Sequence, residues 1–158
     1  MFNLDVAIFR SFQKSPILFV EKIWKLIPQP VLPEFQEEVQ RLISENLWDK
    51  IAASHFDAFE KGTHLTWQQW LILLQVEKAI RNEASKRISV ASGHGIGKSS
   101  VLAMLILWFL FCHKNAQIPC TAPTSEQMYD VLWKEISVWL KKMPVPIQQK
   151  YDWTTAHI

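Results

Sequence analysis

The chain has 158 residues, 49% of them hydrophobic and 20% charged, with 17 basic and 15 acidic side chains well mixed to a net charge of +2. That make-up excludes a disordered or collagen-like chain, and it excludes the broad cationic face by which composition alone would announce a nucleic-acid binder. The count and spacing of the two cysteines, Cys112 and Cys120, suggest neither a disulfide framework nor a zinc site, and the most apolar run, 101–112, is shorter than the roughly 20 residues of a membrane-spanning helix.

In chain order, Leu4 to Gln13 is loosely amphipathic and reads as a helix. Ser15 and Pro16 then supply a cap and a first-turn proline for a second helix through "ILFVEKIWKLI". Three prolines in Pro28 to Pro33 remove donors and fix backbone angles, so an extended connector follows. From Glu34 to about Phe59 the apolar residues Phe35, Val39, Leu42 and Ile43 fall at helical spacing, with Gly62 as the stop. Thr66 caps a long helix in "TWQQWLILLQVEKAIRNEA", whose apolar stripe is Trp67, Trp70, Leu71 and Leu74. Beyond it the pattern predicts a strand over 86–92, a helix over 99–113, an edge strand over 117–121 weakened by Pro119, and a helix over 125–143 ended by Pro144 and Pro146. Eight tryptophans are spread through these segments and call for a packed core.

The order strand, loop, helix frames the stretch "VASGHGIGKSS". A phosphate-binding loop needs inward-pointing backbone N–H groups, a helix N-terminus aimed at the anion, a lysine for the outer phosphates and a hydroxyl for magnesium. Gly93, Gly95 and Gly97 permit the close backbone approach, Lys98 reaches the β- and γ-phosphates, and Ser99 offers the metal ligand. The consensus G-x-x-x-x-G-K-[ST] asks for glycine where this chain has Ser92, so the loop is a variant of the motif. The alternative is a glycine-rich turn with an incidental lysine.

With "LTWQQWLILL" upstream, "FVEKIWKL" near the start and "TAPTSEQMYDVLWKEI" downstream, the chain resembles the N-terminal ATPase part of phage terminase large subunits over most of residues 15–143. The resemblance implies an α/β P-loop NTPase with an incomplete parallel sheet over 64–158, behind a mostly helical N-terminal segment over 1–63. It implies ATP and Mg²⁺ as cofactors. The site it implies comprises Ser92, Gly93, His94, Gly95, Ile96, Gly97, Lys98, Ser99 and Ser100, with Lys98 also catalytic, Ser99 on the metal, and Gln68 (or its neighbour Gln69) on the adenine. Double-stranded DNA, the small terminase subunit and the portal protein are the implied partners, in a homo-oligomeric motor in the bacterial cytoplasm with no membrane association.

Two departures limit that expectation. Terminases often carry an arginine four residues before the loop lysine, and His94 stands there, better suited to shaping the loop or hydrogen-bonding phosphate than to an arginine's role. No apolar strand ending in an acidic residue follows the loop, so the magnesium-holding acid of such motors is missing; "LILLQVE", ending at Glu77, precedes the loop and reads as helix. The chain therefore reads as a fragment or a degraded prophage gene with weak or no ATPase activity. "TAPT" reads first as a strand-to-helix turn capped by Thr124 or Ser125. The competing readings are another P-loop ATPase, helicase-like, or a small helical interaction protein whose loop binds nothing.

Overall fold

The computed structural model describes residues 6–59, 62–91 and 95–151. Helix α1 (Val6–Lys14) turns at Ser15 into α2 (Pro16–Trp24). Ser15 sits in extended conformation and its hydroxyl accepts from the Leu18 N–H at 3.1 Å, while Pro16 fills the first helical position, where a missing N–H costs nothing. Lys25 ends α2 in the left-handed conformation (φ 59°), ahead of the proline connector. The same Ser15 hydroxyl donates to Glu77 Oε2 at 2.5 Å, and Glu77 Oε1 accepts from Arg81 at 2.6 Å, so this buried carboxylate is fully engaged in joining the start of α2 to α4.

Strand β1 (Ile27–Pro28) pairs in parallel with β2 (His64–Leu65), in the register Ile27 with His64 and Pro28 with Leu65. Between them lie α3 (Gln36–Ser44) and two short 3-10 turns. The helix expected to run from 34 to about 59 stops at Ser44, because Asn46 adopts φ 58° and turns the chain. Asparagine tolerates that conformation better than most residues. Helix α4 (Trp67–Ile80) starts at Thr66 as expected, and α5 (Lys98–Cys112) follows the loop. A π-helical stretch, Gln127–Trp133, continues into α6 (Lys134–Lys141), and α7 (Val145–Gln148) closes the described chain.

Helix α5 is apolar on nearly every side, the signature of a helix buried within a core. It packs against α1, α2, α4 and α6. Val101, Ala103, Met104, Leu107 and Trp108 are buried there together with Phe12, Phe19, Leu73 and Ile136. Hydrogen bonds also tie it to its neighbours. The Trp108 indole donates to Phe12 O at 2.7 Å, Gln13 to Cys112 O at 2.8 Å, and the Tyr151 hydroxyl to Leu107 O at 2.9 Å. A smaller cluster of Leu42, Ile51, Phe56 and Leu71 lies beside it, and Trp70 packs against both.

The expected α/β architecture is not what forms. Among the described residues the protein is mostly helical with a sheet of two strands of two residues each, which does not resemble the parallel sheet of a P-loop NTPase. Neither residues 86–91 nor 117–121 form a strand. A parallel strand is stable when its ladder is paired and both its faces are covered, whereas residues 86–91 are exposed throughout, with Ile88 at 39% and Val90 at 42%. Their apolar alternation is real, yet they remain extended chain over the surface. Among the described residues no helix is long and apolar enough to cross a membrane.

Burial also sets the state of one thiol. Cys112 is 1% exposed, and desolvation pushes its pKa from 9.0 up to about 12. The Tyr151 hydroxyl is raised too, first by burial and then by the nearby Cys112. A raised acid stays neutral in the folded chain while its unfolded counterpart ionises. Folding stability is therefore unaffected by Cys112 below pH 9.0 and declines as pH rises from there towards about 12. Urea titrations on either side of pH 9.0 should show a shallower decline for Cys112→Val than for the native chain; equal slopes would rule this out.

Candidate functional site

Three elements meet where the sequence placed the phosphate site: the start of α4, the loop before α5, and the extended segment 85–91. Ser92, Gly93 and His94 lie outside the described residues, so the described part of the loop is Gly95 to Ser100. Gly95 and Gly97 both take positive φ, 83° and 80°, as a tight turn into a helix requires. Gly97 is the N-cap of α5 and, having no side chain, cannot cap the helix itself. The Val101 N–H is satisfied by Gly97 O at 3.0 Å, and the backbone donors that precede it face out of the end of α5, as at the start of any α-helix. Such an end attracts anions through both its donors and its dipole. Lys98 and Ser99 are half-buried in that turn.

Ser100 points elsewhere. Its hydroxyl accepts from the Trp139 indole at 2.8 Å, tying the first turn of α5 to α6, and Trp139 is held in turn by Trp24, whose indole donates to Trp139 O at 2.9 Å.

Beside the loop opens a cavity of about 750 Å³, within the roughly 300–1,000 Å³ typical of small-molecule sites. Trp67, Gln68, Leu71, Ile72 and Gln75 line it from α4, Trp48 and Asp49 from the turn after α3, Ser85 and residues 87–91 from the facing segment, and Ile96 from the loop. Both tryptophans are held by neighbours: Trp67 stacks on Phe56 with ring centres 5.6 Å apart and planes 11° apart, and Trp48 lies under the Lys78 ammonium at 5.1 Å. The walls are largely aromatic and aliphatic, with amides from Gln68 and Gln75.

The two neighbouring glutamines are put to different uses. Gln69 closes a capping box: its N–H donates to Thr66 Oγ1 at 3.3 Å and its Oε1 accepts from the Thr66 N–H at 3.0 Å. Its Nε2 also donates to Gly97 O at 3.3 Å. Gln68, by contrast, lines the cavity. The pattern T-x-x-Q in "TWQQ" carries the signal for this division. Gln75 and Arg87 as cavity walls had no comparable signal, because they meet only once segment 85–91 crosses α4, whereas Ile96 belonged to the expected loop.

The remaining motif residues have structural roles. Thr124 Oγ1 accepts from the Gln127 N–H at 3.2 Å, the cap that the turn reading of "TAPT" requires. Glu77, bound to Ser15 and Arg81, is occupied away from the loop. Among the described residues no group of three or more His, Cys, Asp or Glu side chains is placed to hold a metal ion. A magnesium ion arriving with a nucleotide would find Ser99 Oγ as this chain's own ligand, the other oxygens coming from phosphate and water, which is how magnesium is usually held. Compared with known proteins, the chain matches no family model, no curated protein and no solved structure.

Proposed function

We propose that this chain binds ATP, with the phosphates at the N-terminus of α5 and the adenine in the adjoining cavity beside Gln68. One observation carries the reading: the start of α5, whose N-cap Gly97 has no side chain to occupy it, and a cavity large enough to admit a nucleobase adjoin at Ile96, which lines the cavity one residue before Gly97. The backbone donors of the first turn would hold the phosphate oxygens, and Lys98 would neutralise the outer phosphates. The Gln68 amide, with a donor and an acceptor side by side, matches the N6 and ring-nitrogen edge of adenine. Bound ATP supplies a phosphoanhydride bond; the chain's own residues bind and orient it.

The terminase-like motifs extend the proposal to the ATP-binding part of a phage DNA-packaging motor, with double-stranded DNA, the small subunit and the portal as partners of that motor. A second reading, a helical interaction protein whose loop binds nothing, is favoured by the helical architecture and by exposed apolar side chains such as Ile88, Val90 and Leu102.

Lys98→Ala separates the two. ATP binding predicts that a fluorescent ATP analogue loses at least about tenfold in affinity, the worth of roughly 1.4 kcal/mol, with an unchanged melting temperature. Equal affinity of the native and Lys98→Ala chains, or no binding by either, would leave the interaction-protein reading standing.

A further inference from the structure

The cavity and the loop are joined behind their common wall. Gln68 and Ile96 line the cavity, and their immediate neighbours Gln69 and Gly97 are hydrogen-bonded to each other at 3.3 Å. The Gln69 side chain is itself fixed, because its Oε1 is held by the Thr66 N–H in the capping box. The fit is close: a Cβ built on Gly97 would lie 2.2 Å from Gln69 Nε2. Gly97 O thus accepts from both Gln69 and the Val101 N–H, one bond from α4 and one from within α5.

We infer that Gln69 is a positioning residue: by tying the N-terminus of α4 to the N-cap of α5, it fixes the offset between cavity and loop so that one ligand with a planar base and a phosphate chain fills both. The inference rests on the nucleotide reading and adds to it a residue that touches no part of the ligand. A capping residue alone would affect the stability of α4. A strut between two subsites affects something more particular, the advantage that a linked ligand has over its separate halves. That advantage depends on the subsites being held at the spacing of the ligand, and it disappears when they are free to drift.

The test uses the full chain and three ligands, ATP, adenosine and tripolyphosphate, each titrated calorimetrically. Gln69→Met keeps the bulk and neutrality of the side chain but cannot donate to Gly97 O. It should weaken ATP about five- to tenfold, the worth of about one hydrogen bond, while leaving the affinities for adenosine and tripolyphosphate unchanged. Thr66→Ala removes the cap hydroxyl and keeps the Gln69 amide, so its ratio of ATP to fragment affinity should match the native chain even as its melting temperature falls. If Gln69→Met does not fold, Gln69→Ala, which places the strongest helix former at that position, is read in the same way. Three results overturn the inference: equal weakening of ATP and fragments by Gln69→Met, no weakening of any ligand, or the same ATP-specific loss in Thr66→Ala. Failure of the native chain to bind ATP overturns the nucleotide reading first and the inference with it, and is seen before any variant is made.

Discussion

Phe19→Ala is expected to cost about 3–5 kcal/mol of folding stability, the range for removing a fully buried aromatic ring. Phe19 is 0% exposed and lies where three elements converge on one ring. Its centroid is 5.3 Å from Phe12 of α1 at 86°, 5.5 Å from Trp24 of α2 at 82°, and 5.5 Å from Phe111 of α5 at 44°. The two edge-to-face pairs, with Phe12 and Trp24, contribute about 0.5–1.5 kcal/mol each beyond the area they bury. The void left by alanine cannot be filled by local collapse, because α1 and α5 are fastened to each other by the Trp108 and Gln13 hydrogen bonds. For a chain of this size the loss corresponds to a fall in melting temperature of roughly 10 °C. Phe9 is the control: it meets Phe111 at 5.9 Å but is only partly buried, so Phe9→Ala should fall well short of that shift. Equal shifts in calorimetric melting for the two variants would show that Phe19 is not the hub of this packing.

The parts of this fold that were legible in the sequence are those fixed by neighbours within a few residues. Ser15 followed by Pro16 announces α2, Thr66 with Gln69 announces α4, and Gly97 followed by an apolar run announces α5, because capping is decided within one helical turn. The strands behave differently. An alternating run such as 88–91 suits a strand equally well whether or not a partner lies beside it, and nothing in those residues says that none does. The ladder that does form joins Ile27–Pro28 to His64–Leu65, two pairs of residues far apart in the chain and with no local strand pattern. α3 ended early for a comparable reason: the helical spacing of 35–43 gives no warning that Asn46 will turn left-handed.

The candidate site divides along the same line. The turn at Gly95 and Gly97 into α5 is set by residues close together in the chain and was legible. The cavity is assembled from α4, the turn at Trp48 and segment 85–91, which approach each other only in the folded chain. The choice between Gln68 and Gln69 was open on helical periodicity, since both belong to the first turn of α4. Their contacts differ: the capping box engages Gln69 and leaves Gln68 on the cavity.

Gly97→Ala should be the most damaging of the small changes in the loop, and Gly95→Ala shows why. Both glycines sit at nearly the same φ, 80° and 83°, so a β-carbon at either position carries the left-handed penalty of about 1–2 kcal/mol. Around Gly95 there is open space within 4 Å, and the backbone penalty is the whole cost. At Gly97 the new carbon would stand 2.2 Å from Gln69 Nε2, so the amide must leave, and its hydrogen bond to Gly97 O, worth about 0.5–1.5 kcal/mol, goes with it. Gly97→Ala is therefore expected to destabilise the chain by about 2–3 kcal/mol in urea titration, against about half of that for Gly95→Ala. The excess should vanish in a Gln69→Ala background, where no amide remains to be displaced and the Gly97 substitution carries the backbone penalty alone. An excess that persists in that background would place the strain in the turn itself rather than in the contact between α4 and α5.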